Sequence, residues 1–245
     1  MLIIRSSRLR EKTYFCYANY RCMKIFLNDR TIRFSATTPD NLLPSDMAVP
    51  FSPAEKLNEA FCDFERYEKY HNLWLLNANF PEFASIFKYI PAAGGLVKNE
   101  KGDYLFIHRL GHWDLPKGKI DKKEIRVAQK DDNHIFSARF CEKTQVPFPS
   151  AAGFAAIREV KEETGLKSVG IARDLTSTWH IYKLKDKYIL KQTWWFEMTA
   201  SSSQTLKPQT SEGIFLVKWT PPNAIHCIMA HTYASIRELL LEVMF

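Results

Sequence analysis

The chain has 245 residues, 46% of them hydrophobic, which is enough to bury a sizeable core in one large domain or in a medium domain with a small companion. No apolar run approaches the ~20 residues of a membrane-spanning helix. Five scattered cysteines without a C-x-x-C pair argue against a zinc finger or a disulfide scaffold, so a reducing cytoplasm is the expected compartment. Residues 1–22 hold five basic residues against Glu11, four of the seven net positive charges, so the remainder is too weakly basic to point to nucleic acid as a partner.

Residues 1–22 read as a basic leader, either a disordered arm or an untranslated stretch ahead of a start at Met23. Its lack of an apolar stretch makes it a poor secretory signal. Met23–Asn28 and Thr31–Ser35 predict two short strands joined by a turn at Asn28-Asp29-Arg30. A Pro- and Asp-rich linker is expected from Thr38 to Pro50. Ser52 and Pro53 mark a helix start, and Leu57, Phe61, Phe64 and Tyr67 recur at helical spacing. Asn72–Leu76 reads as a strand and Pro81–Phe87 as a short helix. Residues 23–89 thus form a small α+β unit without a catalytic constellation, placed to pack on residues 90–245 or to support a homodimer.

From Ile90 the pattern changes. Ile90–Val97 and Tyr104–His108 read as strands, followed by a glycine-containing segment from Gly111 to Glu124 and an irregular stretch from Ile125 to Ser150. Ser150 can cap a helix that runs to Thr164 and stops at Gly165. Strands are expected at Thr176–Leu184, Tyr188–Met198 and Gly213–Trp219. A final helix over His231–Val243 has Tyr233, Ile236, Leu240 and Val243 on one face.

The chemistry concentrates in Arg158-Glu159-Val160-Lys161-Glu162-Glu163-Thr164-Gly165-Leu166. On a helix, Glu159, Glu162 and Glu163 fall within an arc of about 100°. Arg158 can reach Glu162 at i, i+4. Three carboxylates on one face describe either a solvated acidic surface or a site for a hard divalent cation such as Mg²⁺ or Mn²⁺. Upstream, Gly118 is followed by five residues and then Glu124.

Together these halves resemble the Nudix box, G-x5-E-x7-R-E-U-x-E-E-x-G-U, where U is a bulky apolar residue. Gly118, Glu124, Arg158, Glu159, Val160, Glu162, Glu163, Gly165 and Leu166 match its fixed positions. Ala92-Ala93-Gly94-Gly95 and Trp113-Asp114-Leu115-Pro116-Lys117-Gly118 extend the likeness ahead of the box. One departure stands out: 33 residues separate Glu124 from Arg158 where the family pattern has seven, an insertion of 26 at about 125–150. A longer surface loop is cheap, about 0.6 kcal/mol per doubling. Phe136, Phe140 and Phe148 suggest that the insertion packs, as a lid or as a surface excursion.

The resemblance implies an α/β fold, a Nudix-type α/β/α sandwich with a mixed sheet over residues 90–245, beside the small α+β unit. It implies Mg²⁺- or Mn²⁺-dependent hydrolysis of a phosphoanhydride in a nucleoside diphosphate linked to another moiety, with a small nucleotide as partner. Diadenosine polyphosphates, inositol pyrophosphates and RNA 5′ ends are narrower alternatives, and a non-catalytic nucleotide-sensing domain is a different class. It implies Glu162 and Glu163 as metal ligands, joined by a backbone carbonyl at Lys117 or Gly118. Glu159 would bind metal or act as general base, oriented by Arg158, with Glu124 supporting from the loop. Glu212, ahead of Glu197, is the candidate for a further metal carboxylate.

Arg109, Lys117 and Lys119 are the candidate phosphate holders, with His180 and Lys191 behind them. Trp194-Trp195-Phe196 reads as core packing in preference to a base-stacking surface, and His226, Cys227 and His231 as structural or exposed.

Overall fold

The computed structural model describes residues 23–50, 54–78, 80–124, 139–140, 147–148 and 151–244. The leader, the expected cap residues Ser52, Pro53 and Ser150, and almost all of the 26-residue insertion lie outside them. The chain divides into two compact units, one of residues up to Tyr89 with Trp179–Leu190, the other of Ile90–Thr178 with Lys191–Phe245.

In the first unit, β1 (Lys24–Leu27) and β2 (Arg30–Ser35) form an antiparallel hairpin. Asn28 takes the left-handed conformation at its turn (φ 56°), which asparagine tolerates. β3 (Asp46–Pro50) and β4 (Asn72–Leu76) extend the sheet in the order β1-β2-β4-β3, with β2 and β3 each parallel to β4. β3 corrects the expected linker. It is an edge strand, where proline is tolerated because one side of the backbone needs no partner.

Helix α1 (Ala54–Arg66) buries Leu57, Phe61 and Phe64. Tyr67 falls beyond its last turn and is exposed. Helix α2 (Phe80–Ser85) adds Phe80 and Phe83 to this core.

In the second unit, β5 (Lys88–Lys98), β6 (Tyr104–Arg109), β11 (Gly170–Leu184), β12 (Lys187–Thr199) and β13 (Ile214–Thr220) lie in the order β13-β6-β5-β12-β11. The short β7 (His112–Asp114) pairs with β6, and β8 (Lys117–Lys119) with β5. Two dipeptide strands, β9 (Arg139–Phe140) and β10 (Pro147–Phe148), pair with each other.

Side chains alternate along a strand, so each strand feeds two faces. Ala93, Val97, Leu105 and Ile107 meet α3 (Ala151–Thr164) on one face. Leu96, Phe106, Leu115 and Trp195 meet α4 (Ile225–Ala230) and α5 (Ala234–Met244) on the other. The result is an α/β/α sandwich. Helix α4 was not expected from the sequence, because its six residues span less than two turns and carry little periodicity.

The outer ends of β11 and β12, Trp179–Leu190, group with the first unit and not with residues 90–245 as a block. There Trp179–Ile181 pairs in parallel with Ile25–Leu27, and Ile181 and Leu190 join the first unit's core.

Candidate active site

Small residues bring the glutamate-bearing helix close to the sheet. Ala151, Ala152, Ala155, Ala156 and Val160 of α3 are all buried. Its C-terminus closes on Gly165, in the left-handed conformation (φ 78°) with the backbone of Lys207 packed against it. Any Cβ at Gly165 would lie 2.8 Å from the Lys207 nitrogen. Helix α3 also meets β8, which is held on β5 through Ala92–Lys119, Ala93–Gly118 and Gly94–Lys117.

The two halves of the box therefore come together. The Glu159 carboxylate lies so close over Gly118 that a Cβ there would stand 2.0–2.2 Å from its atoms. Any side chain at position 118 would push the carboxylate aside, so the glycine is what lets Glu159 rest there.

Arg158 gathers the carboxylates. Its Nε donates to Glu124 Oε1 (2.9 Å) and one terminal nitrogen to Glu159 Oε1 (2.7 Å) and Glu162 Oε2 (3.1 Å). The other terminal nitrogen donates to the Lys119 carbonyl (2.9 Å) and Glu124 Oε2 (3.3 Å). Burial alone would favour the neutral guanidine, but hydrogen bonds and charge from Glu124 and Glu159 outweigh it and raise the pKa. Glu124 Oε2 also accepts the backbone N–H of Asp121 (2.7 Å), as an N3 glutamate does in a capping box. Thus Glu124 meets Arg158 although 33 residues intervene. Burial raises the Glu159 carboxyl, and Arg158 partly offsets this.

Glu163 turns another way and is 2% exposed. It accepts the Lys117 N–H (2.8 Å) and an Arg109 guanidinium N–H (3.3 Å). Burial pushes its pKa up to about 7, against the pull of Lys117 and Arg109. Beside it, buried Asp114 accepts from the Lys117 ammonium. Asp114 escaped the sequence reading, though its i, i+3 spacing to Lys117 was a usable signal.

Among the predicted phosphate holders, Arg109 and Lys117 are thus already ion-paired. Lys119 is exposed and contributes its carbonyl. Glu212 closes a short 3₁₀ turn (Thr210–Glu212) and is 4.0 Å from Arg109. Glu197 is ion-paired with Arg173 instead. His180 belongs to the first unit. Trp195 and Phe196 are core residues, with the Trp195 indole N–H donating to Thr178 (2.8 Å), and Trp194 packs at the edge of that core. His226 and His231 are exposed.

The donor set suits a hard cation. Glu159 and Glu162 converge on a single guanidinium nitrogen, so their oxygens already meet at one cationic point. Among the described residues, no three His, Cys, Asp or Glu side chains surround a common point, because Glu163 is drawn to Arg109 and Lys117. Mg²⁺ does not require such a cage, since it commonly uses one or two carboxylates together with water and substrate phosphate.

No family model and no curated protein matches the chain. Solved structures similar to it include the MutT protein from Methanosarcina mazei Go1, at 21% identity over 64% of this chain and 93% of that one, with a TM-score of 0.39. An Ap4A hydrolase binary complex from C. elegans is 20% identical over 62% of this chain and 93% of that one, with a TM-score of 0.37. The NUDIX domain of Shewanella oneidensis NrtR complexed with ADP ribose is 14% identical over 66% of this chain and 90% of that one, with a TM-score of 0.38.

Proposed function

We propose that this chain is a Nudix-type pyrophosphohydrolase, dependent on Mg²⁺ or Mn²⁺, that cleaves a phosphoanhydride in a nucleoside diphosphate linked to another moiety. The observation that carries this reading is the assembly of the split box. Gly118 lies under the Glu159 carboxylate, and Arg158 joins Glu124, Glu159 and Glu162 across the insertion.

In this reading Glu162 and Glu163 would hold the metal, with the Gly118 carbonyl and Glu212 completing the set. When bound, such a cation would neutralise charge on the phosphoryl oxygens and lower the pKa of a water it holds. Glu159 takes the proton from the attacking water. Its burial makes it a better proton acceptor than a solvated carboxylate. Arg158 fixes its orientation, and Glu124 fixes Arg158. Arg109, Lys117 and Lys119 favour an anionic substrate by charge.

The test is a turnover panel with purified protein and Mg²⁺ or Mn²⁺. It would comprise ADP-ribose, NADH, nucleotide sugars, diadenosine polyphosphates, nucleoside triphosphates and 5′-triphosphorylated RNA. Hydrolysis of one class by the wild type, lost in Glu162→Gln and Glu163→Gln, is expected. Tight binding of a panel compound with no turnover would favour a nucleotide-sensing domain instead.

A further inference from the structure

Strand β12 brings one more cation to this cluster. Lys191 is partly buried on the face of β12 that also carries Trp195, whose ring crowds Gly94 of the neighbouring β5 together with the Lys117 Cβ, and the charges of Lys117, Asp114, Arg109 and Glu163 act on it. These five groups are three cations and two carboxylates. The two carboxylates are taken: Asp114 by Lys117, Glu163 by Arg109. Among the described residues the Lys191 ammonium forms no ion pair and donates no hydrogen bond.

Two residues along the same strand face, the Thr193 hydroxyl is buried without a partner among the described residues. Burial holds the Lys191 ammonium down to about 8, and Lys117 and Arg109 push in the same direction. A cation held this way costs stability unless an anion pairs with it. The Lys117 backbone N–H and the Arg109 guanidinium both donate to Glu163, so an anion seated here lies beside a carboxylate of the box.

We propose that Lys191 is a substrate-binding residue of this site, the cation that receives a phosphoryl oxygen of the phosphoanhydride. The inference rests on the hydrolase reading above and reverses the order suggested by the sequence, in which Arg109 and Lys117 stood ahead of Lys191. Those two hold the site's own carboxylates, whereas Lys191 has none among the described residues. The bond is a charge-assisted N–H···O interaction, which a methyl group in place of the ammonium cannot make.

The probe is methylenediphosphonate, a non-hydrolysable diphosphate, titrated calorimetrically at low salt with EDTA present. Wild type should bind it, Lys191→Met should weaken binding at least about tenfold, and Lys191→Arg should stay within about threefold of wild type. The thermal midpoint of Lys191→Met should not fall below that of wild type, because no partner within the protein is lost. Lys191→Met binding within twofold of wild type overturns the proposal, as does a wild type that does not bind the probe. A lowered midpoint with unchanged binding assigns Lys191 a structural role instead. Turnover separates the two readings. A wild type that hydrolyses a panel compound but binds the probe independently of Lys191 sinks only this proposal. Lys191-dependent binding with no turnover of any compound sinks the hydrolase reading and leaves Lys191 as an anion site.

Discussion

Gly118 and Glu159 touch in a way that makes one hydrogen atom decisive. A methyl group at Gly118 would overlap the Glu159 carboxylate, so Gly118→Ala must displace it. Misplacing a catalytic group by about 1 Å can cost about 100-fold in rate. Steady-state kinetics of Gly118→Ala should therefore show a fall in kcat of that order, with a normal circular dichroism spectrum. On the proposed reading Glu159→Gln keeps the shape but removes the base, and a loss of about 10²–10⁴-fold is expected.

Glu163 gives a pH test at the same scale. Its pKa in the fold, about 7, lies above the ordinary 4.5. The stability it contributes is therefore full below about pH 4.5 and lost as pH rises through about 7, amounting to about 3 kcal/mol. Denaturant unfolding of Glu163→Gln in EDTA should show a flatter stability profile than wild type across that window.

Helix α3 is the element on which the site turns. Its glutamates stand where they do because the opposite face is nearly all alanine, which lets the backbone sit close to the sheet. Ala156→Leu would add volume where none is free, costing about 1–3 kcal/mol. It would also lift the glutamate-bearing turns from β8. Thermal unfolding should show the loss of stability, and kcat should fall with it although residue 156 carries no chemistry. The box residues of α3 were legible in the sequence because they are local to one helix. Their relation to Gly118 and Glu124 was not, because it depends on β8 pairing with β5 and on Arg158 reaching across the chain. The edge strand β3 and the short helix α4 were missed for the opposite reason: their local signals are weak, and tertiary partners decide them.

At the scale of the molecule, the two units share the long hairpin of β11 and β12. Residues 23–89 and 90–245 read as consecutive blocks in the sequence, yet Trp179–Leu190 groups with the first. A chain beginning at Ile90 would leave Trp179–Ile181 without the β1 strand and strip the first unit's core from Ile181 and Leu190. Exposed apolar strand edges promote association. Size-exclusion chromatography of that truncation should show aggregates, and a version that also replaces the hairpin tip with a short turn should run as a discrete species.

By itself the sequence determined the chemistry on offer: a helix with three glutamates, an adjacent arginine, a glycine and glutamate upstream, and an insertion between them. Those are properties of residue type and short spacing, which periodicity and pattern expose. Only the tertiary structure decided which cations remain for a ligand. Arg109, Lys117 and Lys191 are equivalent as letters. They differ because Glu163 and Asp114, brought from other elements, pair with the first two and leave the third in a partly buried place without a carboxylate of its own. Charge pairing of this kind acts through space, so it is settled by how α3, β6, β8 and β12 pack and not by the order of residues along the chain.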